Sequence, residues 1–326
     1  MKEVTMVDFD DRLDEAHKAV LEMIPDALLD LTDIPKARRA LDSFLAARAA
    51  QAPGFPGVEV EDHWAPGAAG DPDVMVRVYT PSGLDAGAPA LYWIHGGGMV
   101  MGSVARNDIE CKGWATDMRC VVASVEYRLA PENPHPSPIE DCFAGLAWLV
   151  SKAESLGVDT GRIAVGGASA GGGLAAALAL IARDRGVDII FQQLICPMLD
   201  DRNITRSSHW VQHPKVWNRV ANIAGWSALL GKPAGSDDVS PYASPARAED
   251  LSGLAPAFII VGDLDLFVDE SIEYAQRLAA AGVPTELHIL PGAVHGTQFY
   301  LPTAEVSMRW KAIEADALRV ALHGSG

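Results

Sequence analysis

The chain predicts an α/β fold, a mostly parallel sheet with helices on both faces. Two observations predict it. From Pro89 onward, short apolar runs alternate with helical stretches, the pattern of βα units whose strands are covered on both sides. Within that alternation, Arg162 to Gly173 (RIAVGGASAGGG) reads as strand, tight turn, helix. The length is sufficient: 326 residues, 49% hydrophobic and 21% charged, can build one large core or a core plus an inserted cap.

Residues 1 to about 50 read as helical. After Pro35, Ala37, Leu41, Phe44, Leu45 and Ala49 recur at helical spacing, with Arg38, Arg39, Asp42 and Arg48 between them. Gln51 to Gly57 reads as a loop. Val58 to His63 and Val74 to Thr80 read as strands joined by a Gly/Pro/Asp-rich connection. The alternation then runs Ala90 to Ile94, helix Asn107 to Met118; Cys120 to Val125, helix Ile139 to Leu156; Ile163 to Gly166, helix after Ser169; and Ile189 to Cys196. It closes with Phe258 to Val261, helix Glu270 to Ala281, and Glu286 to Leu290, helix Ala304 to Leu322. The pattern breaks once, between about Asp200 and Leu254, a stretch holding Trp210, Trp217 and Trp226. Two readings stay open for this stretch: a cap over the crevice at the strand C-termini, or a long connection with its own small core. The N-terminal helical piece likewise reads as either a cap over a site or simple packing, so the expected division is a helical segment 1–50, a core of 51–199 and 255–326, and an insertion 200–254.

Composition removes several function classes. The net charge of −17 argues against nucleic-acid binding, which needs a basic face. There is no apolar run of about 18 residues, so no membrane span is expected. The N-terminal MKEVTMVDFDDRLDEAHK is acidic and lacks a signal-peptide core, so a cytoplasmic protein is expected. Cys111, Cys120, Cys142 and Cys196 show no C-x-x-C spacing; they read as buried thiols, with neither a metal site nor a disulfide scaffold.

The chemistry centres on Gly167-Ala168-Ser169-Ala170-Gly171, a G-x-S-x-G. A sharp strand–helix turn presents the serine at a helix N-terminus, and glycines two residues to either side let the backbones approach. Alone the motif is weak, because serine is also an ordinary helix N-cap. Gly171 to Ala176 also matches the loose dinucleotide pattern G-x-G-x-x-A, but its first glycine lies past the serine instead of directly after the strand. A second element strengthens the case. His95-Gly96-Gly97-Gly98 follows the strand Ala90 to Ile94, and consecutive glycines leave N–H groups bare to hold an oxyanion. A serine nucleophile needs a base. Of nine histidines, His295 follows the last strand and precedes the last helix, where a loop can reach back over the sheet. His95 reads as a brace for its own loop, His288 lies in a strand and His135 between prolines. His17, His63, His209, His213 and His323 read as helical, solvent-facing or cap residues. Asp263 and Asp265 both follow the penultimate strand as candidate orienting carboxylates, and periodicity does not choose between them. Position favours Asp265, one step further into the loop toward His295, while Asp263 at the strand end is placed to cap local backbone N–H groups. Asp269 reads as the N-cap of the helix at Glu270.

Taken together these blocks resemble the bacterial hormone-sensitive-lipase-like esterases of the α/β-hydrolase superfamily. The resemblance covers most of residues 75 to 300 and rests on His95 to Gly98, Tyr127 to Glu132 (YRLAPE), Gly167 to Gly171, and Asp265 to Glu270 with Pro291-Gly292 and His295-Gly296 downstream. It implies Ser169 as nucleophile, His295 as base, Asp265 as orienter, and oxyanion donors from the N–H groups of Gly97, Gly98 and Ala170. It also implies a structural role for Arg128, a cap formed by the helical segment 1–50 and the insertion 200–254, no metal or organic cofactor, a small-molecule ester substrate with a short acyl chain, and a homodimer paired through the edge strand Glu286 to Leu290. Three departures stand out: Ala168 where the family has Asp or Thr, Met99 where an aromatic is common, and Thr297 where Phe is common. The expected activity is a serine carboxylesterase. An amidase or peptidase using the same triad, and a non-catalytic ligand-binding relative, are the rival readings.

Overall fold

A computed structural model describes residues 8–50 and 54–324; the expected helical and loop assignments for 1–7 and 51–53 lie outside the described residues. Three N-terminal helices come first: α1 (Phe9–Arg12), α2 (Glu15–Met23) and α3 (Ile34–Ala49). Each starts on an aspartate whose side chain accepts a backbone N–H of the first turn: Asp8, Asp14 and Asp33.

The remainder alternates as expected: β1 (Val58–Ala65), β2 (Val74–Pro81), β3 (Ala88–Ile94), α4 (Asp108–Asp117), β4 (Val121–Glu126), α5 (Ser137–Lys152), β5 (Val158–Ala168), α6 (Ala170–Arg185) and β6 (Phe191–Ile195). The segment 200–254 contributes α7 (Arg206–Trp210), α8 (Arg219–Leu230) and a short 3₁₀ turn at Pro245–Arg247. The chain ends with β7 (Ala257–Leu264), α9 (Val268–Ala280), β8 (Thr285–Val294), α10 (Thr297–Tyr300) and α11 (Glu305–His323). The eight strands form one sheet in the order β1-β2-β4-β3-β5-β6-β7-β8. The first two pairings, β1 with β2 and β2 with β4, are antiparallel and the rest parallel.

Both faces of the sheet are buried, as strand alternation shows on β3. Ala90, Tyr92 and Ile94 join a core with residues of α5 and α6. Leu91 and Trp93 join a second core with residues of α4 and α11. Helix α6 has buried residues all round from Ala170 to Ala182, which fits a helix enclosed between the sheet and other elements.

Two details depart from expectation. Helix α9 begins at Val268, so Asp269 is its second residue and not its cap. The chain turns earlier because the Asp265 side chain accepts the Phe267 N–H (3.0 Å) and its carbonyl accepts that of Val268 (3.2 Å). The Asp269 carboxylate instead accepts the N–H of Ser207 in α7 (2.7 Å). Helix α5 ends at Lys152, four residues short of Leu156, in turns that start β5 at Val158.

The segment 200–254 rests on the N-terminal helices. Phe9 packs edge-on to Trp210 (5.5 Å) and against His213 (5.9 Å), and Lys215 Nζ donates to the Ile24 carbonyl (2.7 Å). Trp226 is wholly buried in the main core.

Candidate active site

Ser169 is the first residue past β5 and the residue before α6, with φ 60° and ψ −123°. Positive φ in a side-chain-bearing residue is strained and persists only when surroundings hold it. Here Ser169 N–H donates to the Ile195 carbonyl (2.8 Å), and its own carbonyl accepts from Gly173 and Met198 (both 3.0 Å). These bonds anchor the elbow from the neighbouring strand, where Ala168 offers no side-chain hydrogen bond. The flanking glycines are sterically required: a Cβ on Gly167 would lie 2.1 Å from the Gly171 carbonyl oxygen, and one on Gly171 2.1 Å from that of Ile94. A Cβ on Gly173 would lie 2.0 Å from the Met198 carbonyl oxygen. The glycine run that mimics a dinucleotide fingerprint is thus accounted for by close backbone packing.

His295 Nε2 lies 2.9 Å from Ser169 Oγ, and His295 Nδ1 lies 2.7 Å from Asp265 Oδ2. Asp265 is fully buried, and its other oxygen accepts the Phe267 N–H. Phe267 sits edge-on to the imidazole at 5.2 Å. Burial alone would lower the imidazole pKa, but the Asp265 carboxylate, with the Cys196 thiol beside the ring, more than offsets it, so the pKa is raised.

Asp263 stands elsewhere. Its Oδ1 accepts the Gly292 N–H of β8 (2.7 Å), and its Oδ2 pairs with Arg12 of α1. It caps a backbone N–H, as expected of its position, but one from the next strand. Between Gly262↔Leu290 and Leu264↔Val294 the register shifts, so one residue of β7 faces three of β8. Asp263 ties that irregularity down just before His295.

The glycine loop lies alongside. Gly97 and Gly98 have φ of 131° and 62°, and the Gly97 carbonyl accepts from Val100 (3.2 Å) and Met101 (3.0 Å). Among the described residues, the N–H groups of Gly97 and Gly98 have no acceptor, and Ala170 is the first residue of α6, whose N–H has no partner within the helix. His95 braces this loop: its ring stacks on Tyr127 at 4.3 Å, its Nδ1 lies 3.0 Å from the Gly96 carbonyl, and Tyr127 donates to the His95 carbonyl (3.0 Å). Burial pushes the His95 imidazole down to about 4, so it is neutral. Arg38 of α3 donates to the Val100 (2.7 Å) and Ala130 (3.0 Å) carbonyls and pairs with Glu132. Arg128 is fixed by Asp141 and Asp71. Trp217 presses on Gly98, where a Cβ would meet its ring at 2.2 Å, and lies 6.4 Å from His295.

Two residues at the site do more than their local sequence indicates. His17 lies in a helix, as its context suggests, but is only 1% exposed. It faces inward from α2, with Nδ1 2.8 Å from Asp14 and Nε2 3.2 Å from Thr297 Oγ1. Thr297 in turn accepts the Val294 N–H (2.8 Å) and donates to the Val294 carbonyl (2.9 Å), directly before His295. The hydroxyl that replaces the family's usual Phe is therefore a tie on the histidine loop. Cys196 is free and buried as expected, but it lies against His295 and Asp265. Nothing in its local sequence signals this.

A cavity of about 580 Å³ reaches Ser169 and His295. Its far wall comes from α4, α11 and the residues after His295, including Trp114, Phe299 and Tyr300. Arg106, Asn107 and Glu110 put polar groups into its otherwise mostly apolar lining. The tryptophans of 200–254 do not line it.

Comparisons with known proteins agree with this geometry. The sequence profile of the alpha/beta hydrolase fold matches residues 91–299. Esterase LipI of Mycobacterium tuberculosis is 39% identical over 83% of this chain and 85% of its own. Among solved structures, a bacterial heroin esterase superposes with a TM-score of 0.92 at 44% identity, covering 96% of this chain and 99% of that one. Esterase LipW of Mycobacterium marinum superposes with a TM-score of 0.86 at 37% identity, covering 96% and 97%. With an eight-stranded, mostly parallel sheet and a serine elbow in hydrogen-bond contact with a histidine–aspartate pair, the chain belongs to the α/β-hydrolase fold family, among its hormone-sensitive-lipase-like carboxylesterases.

Proposed function

We propose that this chain is a serine carboxylesterase that cleaves short-chain carboxylic esters through an acyl-enzyme. The observation that carries the reading is the continuous contact from Ser169 Oγ to His295 Nε2 (2.9 Å) and from His295 Nδ1 to Asp265 (2.7 Å). Ser169 attacks the ester carbonyl while His295 takes its proton. The raised imidazole pKa favours the cation formed at that moment, and Asp265 holds the tautomer that leaves Nε2 free to accept. The N–H groups of Gly97, Gly98 and Ala170 receive the oxyanion. His295 then protonates the leaving alcohol, and water, deprotonated by the same imidazole, releases the acid.

The segments 1–50 and 200–254 act as a cap in this reading, supported by their mutual contacts and by Trp217 against Gly98. A cavity of this size supports acyl chains from acetyl to hexanoyl over chains of ~12 carbons or more. β8 lies at one edge of the sheet, and pairing two copies there gives a homodimer, checked by light scattering. The four free cysteines suit a reducing compartment such as the cytoplasm. Among the described residues no helix is long and apolar enough to cross a membrane.

Fluorophosphonate labelling tests the assignment. Wild type is labelled on Ser169 and hydrolyses p-nitrophenyl butyrate. Ser169→Ala takes no label and loses activity by about 10⁶-fold. A pure Ser169→Ala sample that keeps a few per cent of the activity refutes it.

A further inference from the structure

Four neighbouring strands deliver consecutive groups to one point. In sheet order β5, β6, β7 and β8, the first residue past each C-terminus is Ser169, Cys196, Asp265 and His295. Three of these have places in the hydrolytic reading; Cys196 has none. Its position is nonetheless tightly defined. It has φ 37°, its N–H donates to the Ile260 carbonyl of β7 (2.7 Å), and it is 2% exposed. The irregular backbone there turns the thiol toward the acid–base pair: the ligand atoms of Cys196, Asp265 and His295 all lie within 4.8 Å of one another.

A thiolate sulfur, an imidazole nitrogen and a carboxylate oxygen form a donor set suited to zinc and to softer divalent ions. Metal–ligand bonds of about 2.0–2.3 Å in a tetrahedron put donors roughly 3.3–3.7 Å apart. The three atoms are thus within side-chain adjustment of that arrangement. Cys196 also lines the cavity that reaches Ser169, so an ion enters by the path open to a small molecule, and the cavity side leaves a fourth position for water.

We propose that Cys196, Asp265 and His295 form an inhibitory binding site for zinc and similar soft divalent cations. Binding releases the thiol proton, and the single proton of the neutral imidazole moves from Nδ1, the nitrogen facing Asp265, to Nε2. The thiolate and the carboxylate then balance the charge of the ion, and Nδ1 gives its freed lone pair to the metal. The imidazole proton now resides on Nε2, the nitrogen that faces Ser169. A protonated Nε2 cannot accept the serine proton, so the ion abolishes the chemical step by fixing the wrong tautomer. The site itself rests on geometry alone, whereas its inhibitory effect rests on the carboxylesterase reading.

Two readouts separate these. The first is binding, followed as the ultraviolet thiolate-to-cadmium charge-transfer absorbance on titration with CdCl2. It uses wild type and Ser169→Ala, in which all three ligands remain. One equivalent of Cd²⁺ is expected to bind to both proteins, with the band lost in Cys196→Ser and in Cys196→Ala. The second is hydrolysis of p-nitrophenyl butyrate in metal-free buffer with micromolar ZnCl2, with MgCl2 as a hard-cation control. Zinc lowers kcat, magnesium does not, and EDTA restores the rate. In each Cys196 variant, read against its own metal-free rate, the half-inhibitory zinc concentration rises by more than the ~10-fold typical of losing an outer-sphere partner. A cadmium band that persists in both variants, or zinc curves that superpose on wild type, overturns the proposal. A wild type that hydrolyses no ester in metal-free buffer refutes the carboxylesterase reading, and the cadmium titration then decides the site alone.

Discussion

Replacing Asp265 with Asn tests the acid–base pair most directly, because both oxygens of this carboxylate are committed. Oδ1 accepts the Phe267 N–H (3.0 Å) and Oδ2 faces His295 Nδ1 (2.7 Å). An asparagine has only one acceptor. With its oxygen kept on Phe267, its NH₂ points at His295 Nδ1, which must then become the acceptor and leave the ring proton on Nε2. That tautomer cannot deprotonate Ser169. The flipped amide sets NH₂ against the Phe267 N–H inside a fully buried pocket, so it is disfavoured. The expected loss in kcat is about 10⁴-fold, or about 5.4 kcal/mol of barrier at 1.36 kcal/mol per factor of ten. Steady-state kinetics of p-nitrophenyl butyrate hydrolysis from pH 5 to 10 reads this, with Asp263→Asn as the paired control. Asp263→Asn keeps an oxygen for the Gly292 N–H and loses only a partly exposed pairing with Arg12, which costs at most about 1 kcal/mol of stability. The pH profile carries a second check. Asp265 raises the imidazole pKa, so the wild-type kcat/KM climbs with pH through a limb above the ordinary histidine value of about 6.5. The residual activity of Asp265→Asn shows that limb moved toward acid. The same linkage stabilises the wild-type fold fully below the unfolded histidine pKa, and this contribution is lost as pH rises through the raised folded value. If Asp265→Asn keeps more than a few per cent of activity while Asp263→Asn is dead, the wrong aspartate has been paired with His295.

Thr297→Val removes the tie that joins His17 to the backbone of Val294, leaving buried partners unsatisfied; melting should show a loss of about 1–3 kcal/mol. Because the tie precedes His295, kcat should fall more than KM rises, and equal kcat in a folded variant would refute the positioning role. Burial pushes the Glu314 carboxyl up to about 7, so its ionised form is penalised in the fold and the penalty grows as pH rises from the usual carboxylate range past 7. Glu314→Gln, which keeps an oxygen for Gln193, should therefore raise Tm relative to wild type at pH 8.5 and do so less at pH 5; a gain independent of pH counts against this. Gly171→Ala places a Cβ 2.1 Å from a backbone oxygen that cannot move without shifting β3, so soluble protein with wild-type turnover would contradict the packing at the elbow.

The amino-acid sequence by itself determined the βα alternation, the serine at the elbow and the bare glycine loop. Each is a local matter: short continuous apolar runs make strands buried on both faces, and glycine is required where backbones meet. Ser169 and His295 were legible because each follows a strand directly, and Gly97 and Gly98 because the glycine run lies just past the end of β3; parallel strands bring their C-terminal ends to one edge of the sheet. Asp263 and Asp265 could not be separated by periodicity; position one step further into the loop, together with the resemblance, favoured the second. Their roles depend on the register shift between β7 and β8, which turns Gly292 toward Asp263 and leaves Asp265 to His295. The tertiary structure also decided the place of Cys196, whose strand falls between those of the serine and the aspartate only through the order β5-β6-β7. It decided the burial of His17, which meets a threonine 280 residues away. It set the cavity wall as well, built from α4 and α11 on the far side of the sheet. Contacts between residues so distant in the chain depend on strand order and helix docking, and these follow from burying both faces of the sheet at once rather than from any local pattern.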